Sequence, residues 1–75
     1  EGISIYPNPT NSILNIKNAE NSSIEVFNIL GQTIITKTNI AVEEQLNVAS
    51  FPQGTYLVKI TNGSIVKTEK FIVSK

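Results

Sequence analysis

Cysteine, histidine, aspartate, arginine, methionine and tryptophan are all missing from this chain of 75 residues. Without Cys or His there are no ligands for zinc, copper, haem or iron–sulfur sites of the usual kinds, so no metal or other cofactor is expected. Triads of the Ser-His-Asp or Cys-His type cannot be assembled, and no disulfide can staple the fold. The only acids are Glu1, Glu20, Glu25, Glu43, Glu44 and Glu69. Of these only Glu43 and Glu44 are adjacent, and neighbours on a strand point to opposite faces, which argues against a paired general acid and base. Gly2, Gly31, Gly54 and Gly63 are isolated, so there is no glycine-rich phosphate cradle. No catalytic residue is proposed, and an enzyme is not expected.

Charge of either sign is also scarce. Six Lys balance six Glu for a net charge of zero, leaving no basic field to draw in nucleic acid or an anionic membrane. Nucleic acid is therefore not an expected partner. Lys59, Lys67, Lys70 and Lys75 fall late in the chain, either as a recognition patch or as outward charges guarding sheet edges. No stretch approaches the ~18 apolar residues of a membrane span, and no charged-then-apolar leader opens the chain. It starts inside strand-like sequence, so it reads as a mature product or a fragment cut from a larger precursor. The length suits one domain spanning 1–75, with a single core that buries only roughly 60 % of the unfolded surface.

What is present is alternation. Apolar and polar residues repeat with a period of two almost throughout, and no window keeps helical spacing. Ile3 to Tyr6 reads as a first strand, stopped by Pro7-Asn8-Pro9, where two prolines remove ladder donors. Ile13 to Ile16 follows, with Leu14 and Ile16 on one face, and then a polar turn from Asn18 to Ser22. Ser23 to Ile29 and Gln32 to Thr38 read as a third and fourth strand in a tight hairpin across Leu30-Gly31, with Gly31 supplying a positive φ. Apolar residues on both faces place the third strand centrally. Glu44 to Val48 is a fifth strand with Leu46 and Val48 inward.

Phe51-Pro52-Gln53-Gly54 carries the signature of a type I turn. Tyr56, Val58 and Ile60 then alternate with Leu57, Lys59 and Thr61, and Asn62-Gly63 predicts a two-residue primed turn into a last strand from Ser64 to Val73. Seven short strands at this spacing predict an all-β fold, a seven-stranded antiparallel sandwich of immunoglobulin-like type.

Four segments, taken in order, resemble a known family. Tyr6-Pro7-Asn8-Pro9 leads into Ile13-Leu14-Asn15-Ile16; Ile24 to Gln32 ends in Leu30-Gly31-Gln32; Phe51-Pro52-Gln53-Gly54-Thr55-Tyr56 opens a long strand; and Lys67 to Lys75 is a basic finish. Each piece is weak alone, but their order and spacing resemble the type A C-terminal sorting domains of the type IX, or Por, secretion system of the Bacteroidota. The resemblance covers nearly the whole chain, with Phe51 where Leu is usual, Asn28 where Asp is common and Phe27 where Tyr is frequent.

It implies a non-catalytic signal recognised in the periplasm and passed with its cargo through an outer-membrane translocon. The implied partners are the translocon and outer-membrane shuttle proteins, a sortase-like signal peptidase and an N-terminal cargo domain. The peptidase would cut near or before Glu1, leaving the cargo secreted or coupled to lipopolysaccharide at the cell surface, associated with the outer membrane. The family-motif residues are Tyr6, Pro7, Asn8, Pro9, Gly31, Gly54 and Tyr56. Lys70 and Lys75 join them as recognition candidates, since the implied signal is concentrated in the final hairpin, Gly54 to Lys75.

Each also has a plain reading. The prolines would end an edge strand, the glycines would serve turns, and Tyr56 would be a core aromatic whose hydroxyl reaches the rim. A passive spacer, or a carbohydrate-binding or adhesive sandwich, would share the fold, although the latter usually shows exposed Trp or Tyr platforms and this chain has only Tyr6 and Tyr56.

Overall fold

Alternation leaves every strand with one face to bury, and the computed structural model, which describes residues 2–75, buries those faces between two stacked sheets. The strands are β1 (Ser4–Tyr6), β2 (Ile13–Lys17), β3 (Ser23–Phe27), β4 (Thr33–Lys37), β5 (Glu43–Asn47), β6 (Gly54–Asn62) and β7 (Ile65–Val73). One sheet has the order β1-β2-β5 and the other β4-β3-β6-β7, with antiparallel pairing throughout both. This is the expected sandwich. It differs from the constant-type immunoglobulin arrangement in its fourth strand, since β4 pairs with β3 instead of joining the first sheet.

Leu14, Ile16 and Leu46 from the smaller sheet meet Ile24, Val26, Val58, Ile60, Phe71 and Val73 from the larger one, all almost fully buried. Leu46 and Val48 point inward and Gln45 and Asn47 outward, as the alternation predicts. At one end of the core Tyr56 lies between two phenylalanines, with ring centroids 5.1 Å from Phe51 and 5.6 Å from Phe71. Such pairs add roughly 0.5–1.5 kcal/mol beyond the area they bury.

Three local expectations change. β3 does lie centrally, but it stops at Phe27, and Ile29 and Leu30 are 81 % and 80 % exposed. The connection is a loop over residues 28–32 organised by Asn28, whose Oδ1 accepts from the amides of Leu30 at 2.9 Å and Gln32 at 3.0 Å. Gly31 supplies its positive φ of 84° within this loop and not in a two-residue turn. The β3–β4 register also shifts between Val26 and Phe27, a bulge that leaves Ile34 outside the ladder and exposed.

The second change is in the last hairpin. Asn62 pairs with Ile65, so the turn residues are Gly63-Ser64, with positive φ at Gly63 only. That fits a type II′ turn one residue later than expected; Asn62 itself stays in the ladder. Third, the hydrogen-bonded turn before β6 spans Val48 to Phe51, where the Phe51 amide donates to the Val48 carbonyl at 3.0 Å. Phe51-Pro52-Gln53-Gly54 is not that turn, because Phe51 is drawn into the aromatic cluster and the Pro52 carbonyl accepts from the Tyr56 hydroxyl at 2.6 Å. A tyrosine near the start of the sixth strand bonding upstream backbone is the tyrosine corner of immunoglobulin-like sandwiches.

The β4 and β5 edges are clipped by charge. Lys37 Nζ lies 3.0 Å from Glu44 Oε2, and the other Glu44 oxygen accepts from the Ala41 amide at 2.9 Å. Glu43 turns instead to Lys17, its cross-strand neighbour, at 3.7 Å. The adjacent carboxylates thus point apart, each beside a lysine. The Ala41 hydrogen bond, and then that from Lys37, hold Glu44 below the ordinary carboxylate pKa.

Two outcomes are expected. Phe71→Ala should cost about 3–5 kcal/mol, most of the stability of so small a domain, and abolish cooperative melting by circular dichroism, whereas Ile72→Ala on the outer face should leave it nearly unchanged. Because the folded-state pKa of Glu44 lies below its unfolded value, its contribution is complete above the usual carboxylate range and fades as pH falls through the lowered pKa. Acid titration of stability below about pH 4.3 should therefore be shallower for Glu44→Gln than for the parent.

Candidate functional site

The final hairpin joins the two longest strands and supplies the outer rim of the larger sheet. Phe71 and Val73 face the core, so alternation puts Val66, Thr68, Lys70 and Ile72 on the outward face. Across the ladder Lys70 is opposite Leu57, which in turn is opposite Phe27; Thr68 is opposite Lys59, itself opposite Glu25. Lys70 therefore stands at the end of a short apolar row, and exposed Ile72 lies on the same face two residues along.

The rim of β7 is not uniformly open. In the two-residue hairpin, odd-numbered residues of β7 direct their backbone groups to β6, and even-numbered ones direct theirs away. From the Lys70 carbonyl onward those outward groups are met by the segment that follows β1. Asn8 Oδ1 accepts from the Ile72 amide at 2.9 Å, while its Nδ2 donates to the Lys70 carbonyl at 3.2 Å. Thr10 then continues as a short parallel bridge beside Val73, its amide donating to the Ile72 carbonyl at 2.9 Å and its carbonyl accepting from the Ser74 amide at 2.8 Å.

Pro7 and Pro9 have no N–H, so the backbone from 7 to 9 is a poor ladder partner. The Asn8 carboxamide, with one donor side and one acceptor side, stands in for a peptide group. Tyr6 ends the edge strand β1, and its carbonyl accepts from Asn15 Nδ2 at 3.1 Å. The peptide bonds before both prolines are cis.

Of the motif residues Tyr6 to Pro9, Asn8 thus meets two residues of the final strand, Lys70 and Ile72, that lie more than sixty positions away. Gly54 opens β6 opposite Val73 at the same end of the hairpin, and Tyr56 sits beneath in the aromatic cluster. Lys75 folds back onto the β5–β6 connection, where its amide donates to Gln53 Oε1 at 3.0 Å and its ammonium donates to the Ala49 carbonyl. Lys70 projects freely, with no salt bridge among the described residues. Gly31 is apart from this group, in the loop between β3 and β4.

Sequence reasoning missed the roles of Thr10, Asn28 and Gln53. The missing proline donors were the available signal that an Asn between them would be used as a backbone substitute. The expected cut near or before Glu1 lies outside the described residues.

Asn8→Ala removes both rim bonds at once. A loss of about 1–2 kcal/mol is expected, together with faster amide hydrogen exchange at Ile72 and no change at Ile24 or Val58 in the sheet centre.

Comparison with known proteins bears on this arrangement. The chain is 29 % identical over 77 aligned residues to Beta-agarase D of Zobellia galactanivorans, an alignment that takes in 100 % of the chain but 16 % of that protein. Its fold superposes with a TM-score of 0.85 on a solved structure of PorZ, an essential bacterial surface component of the type-IX secretion system of Porphyromonas gingivalis, at 19 % identity, covering 99 % of the chain and 12 % of PorZ. The chain thus spans a small fraction of either protein. The model of one family, described as the secretion system C-terminal sorting domain, matches residues 4–74, and this protein belongs to that family.

Proposed function

We propose that this chain is the export signal of a larger protein, directing it through the type IX secretion translocon to the cell surface or the medium. The carrying observation is the family match over residues 4–74, which takes in every segment of the sandwich. On this reading the domain does no chemistry. It passes through the periplasm with its cargo, docks on outer-membrane shuttle and translocon proteins, and is removed by a sortase-like peptidase, with the cargo released or coupled to lipopolysaccharide.

The part read by the machinery is the final hairpin, Gly54 to Lys75. Since Asn8 and Thr10 occupy the outward backbone groups from the Lys70 carbonyl to the Ser74 amide, recognition at that end falls to side chains. The Lys70 ammonium beside exposed Leu57 and Ile72 suits a partner that offers an acidic group next to an apolar surface. Lys75 is held against Ala49 and Gln53, and it contributes mainly by closing the strand end that presents Lys70.

Truncating the last residues would remove Phe71 and Val73 from the core, so point substitutions test the idea better. A fluorescent reporter carrying an inner-membrane export leader at its N-terminus and this chain at its C-terminus, expressed in a Bacteroidota host with a type IX system, is expected to appear outside the cell. Lys70→Glu with Ile72→Ser should leave circular dichroism and melting near those of the parent and retain most of the reporter in the cell. Undiminished delivery of that variant would refute the role given to this face; retention of the parent fusion itself would refute the signal.

A further inference from the structure

We infer that the uncovered half of the β7 rim is a self-pairing edge, which joins a second copy of this chain antiparallel about Thr68. The seam between the sheets is laced from Lys70 to Ser74 and open from Ile65 to Lys70. Among the described residues nothing hydrogen-bonds the outward amide or carbonyl of Val66 or Thr68, or the amide of Lys70. Here the sheets part over a groove of 410 Å³ bordered by Ile3, Ala19, Ile60, Ile65 and Lys67, and Ile65 and Val66 are 69 % and 54 % exposed. Open edges of this kind attract another strand.

Charge selects both the occupant and the register. In an antiparallel pair of identical strands centred on Thr68, Lys67 of each copy faces Glu69 of the other, and Val66 faces Lys70. Centring on Lys67 or on Glu69 sets like charges directly opposite, which is destabilising. The Thr68 register also suits the backbone, because the even-numbered residues carry the outward groups: Thr68 exchanges two hydrogen bonds with its copy, and each Lys70 amide reaches the other Val66 carbonyl. Lys67 and Glu69 already lie 3.2 Å apart within one strand, so pairing closes an alternating square of four charges. Asn8 stops the ladder at Lys70 and so limits how far the copies overlap. The contact is short, which places it among weak interfaces.

Sedimentation equilibrium of the full chain from micromolar to millimolar concentration is expected to show the mass rising from 8.2 kDa toward about twice that value. Lys67→Glu alone, and Glu69→Lys alone, should each hold the chain monomeric with melting little changed, whereas the double swap restores dimerisation. The chain has no cysteine of its own, so register can be read directly: Thr68→Cys should form a disulfide-linked dimer under mild oxidation much faster than Val66→Cys. A chain that stays at 8.2 kDa throughout, a double swap that stays monomeric, or equal cross-linking at the two positions would each overturn the proposal. None of these readouts depends on export, so they stand or fall apart from the signal function.

Discussion

The lacing of the Asn8–Thr10 segment onto the rim of β7 is the contact that makes one body of two sheets. The chain has no cysteine for a disulfide, and besides the shared core its sheets are tied by the Lys37–Glu44 clip at the opposite side. Hydrophobic burial is non-directional and would tolerate sliding between the layers. The carboxamide of Asn8 and the peptide of Thr10 are directional, and they set β1's continuation alongside the last strand in one register. The hydroxyl of buried Thr10 donates to the Ile13 carbonyl and so fixes this segment to the start of β2.

That arrangement also divides the final hairpin into regions with different uses. From the Lys70 carbonyl onward the backbone is spent on internal bonds and only side chains face outward, a stable and well-defined surface of the kind a receptor can read. From Ile65 to Lys70 the backbone is still available, and the charges along it are self-complementary. A single strand thereby carries a side-chain surface at one end and a main-chain edge at the other, and the Asn8 side chain is the boundary between them. Membership of the sorting-domain family gives the first surface its proposed purpose.

Much of the architecture was legible because period-two alternation is a local property: Leu46 and Val48 inward, and Tyr56, Val58 and Ile60 against Leu57, Lys59 and Thr61, all stand where the pattern put them. Errors gathered where local cues compete. Ile29 and Leu30 continue the apolar run of β3, yet Asn28 bends the chain away with its own side chain and leaves them in solvent. Asn-Gly is a strong turn signal, but Asn62 is kept in the ladder by Ile65 and the turn forms one step later. Pro52 suggested a turn at a place where the demand of the Tyr56 hydroxyl for an acceptor decides the conformation.

By itself the sequence determined the fold class, the absence of histidine- or cysteine-based chemistry and the family, since these depend on composition, alternation and the order of short motifs. Only the tertiary structure decided what Tyr6-Pro7-Asn8-Pro9 does. Its partners Lys70 and Ile72 lie more than sixty positions away, and no local rule links them until both sheets share a core. The same holds for the open edge: Ile65 to Lys70 reads as part of a strand in the sequence, but whether its backbone faces a neighbour or water follows from which strands end up beside it.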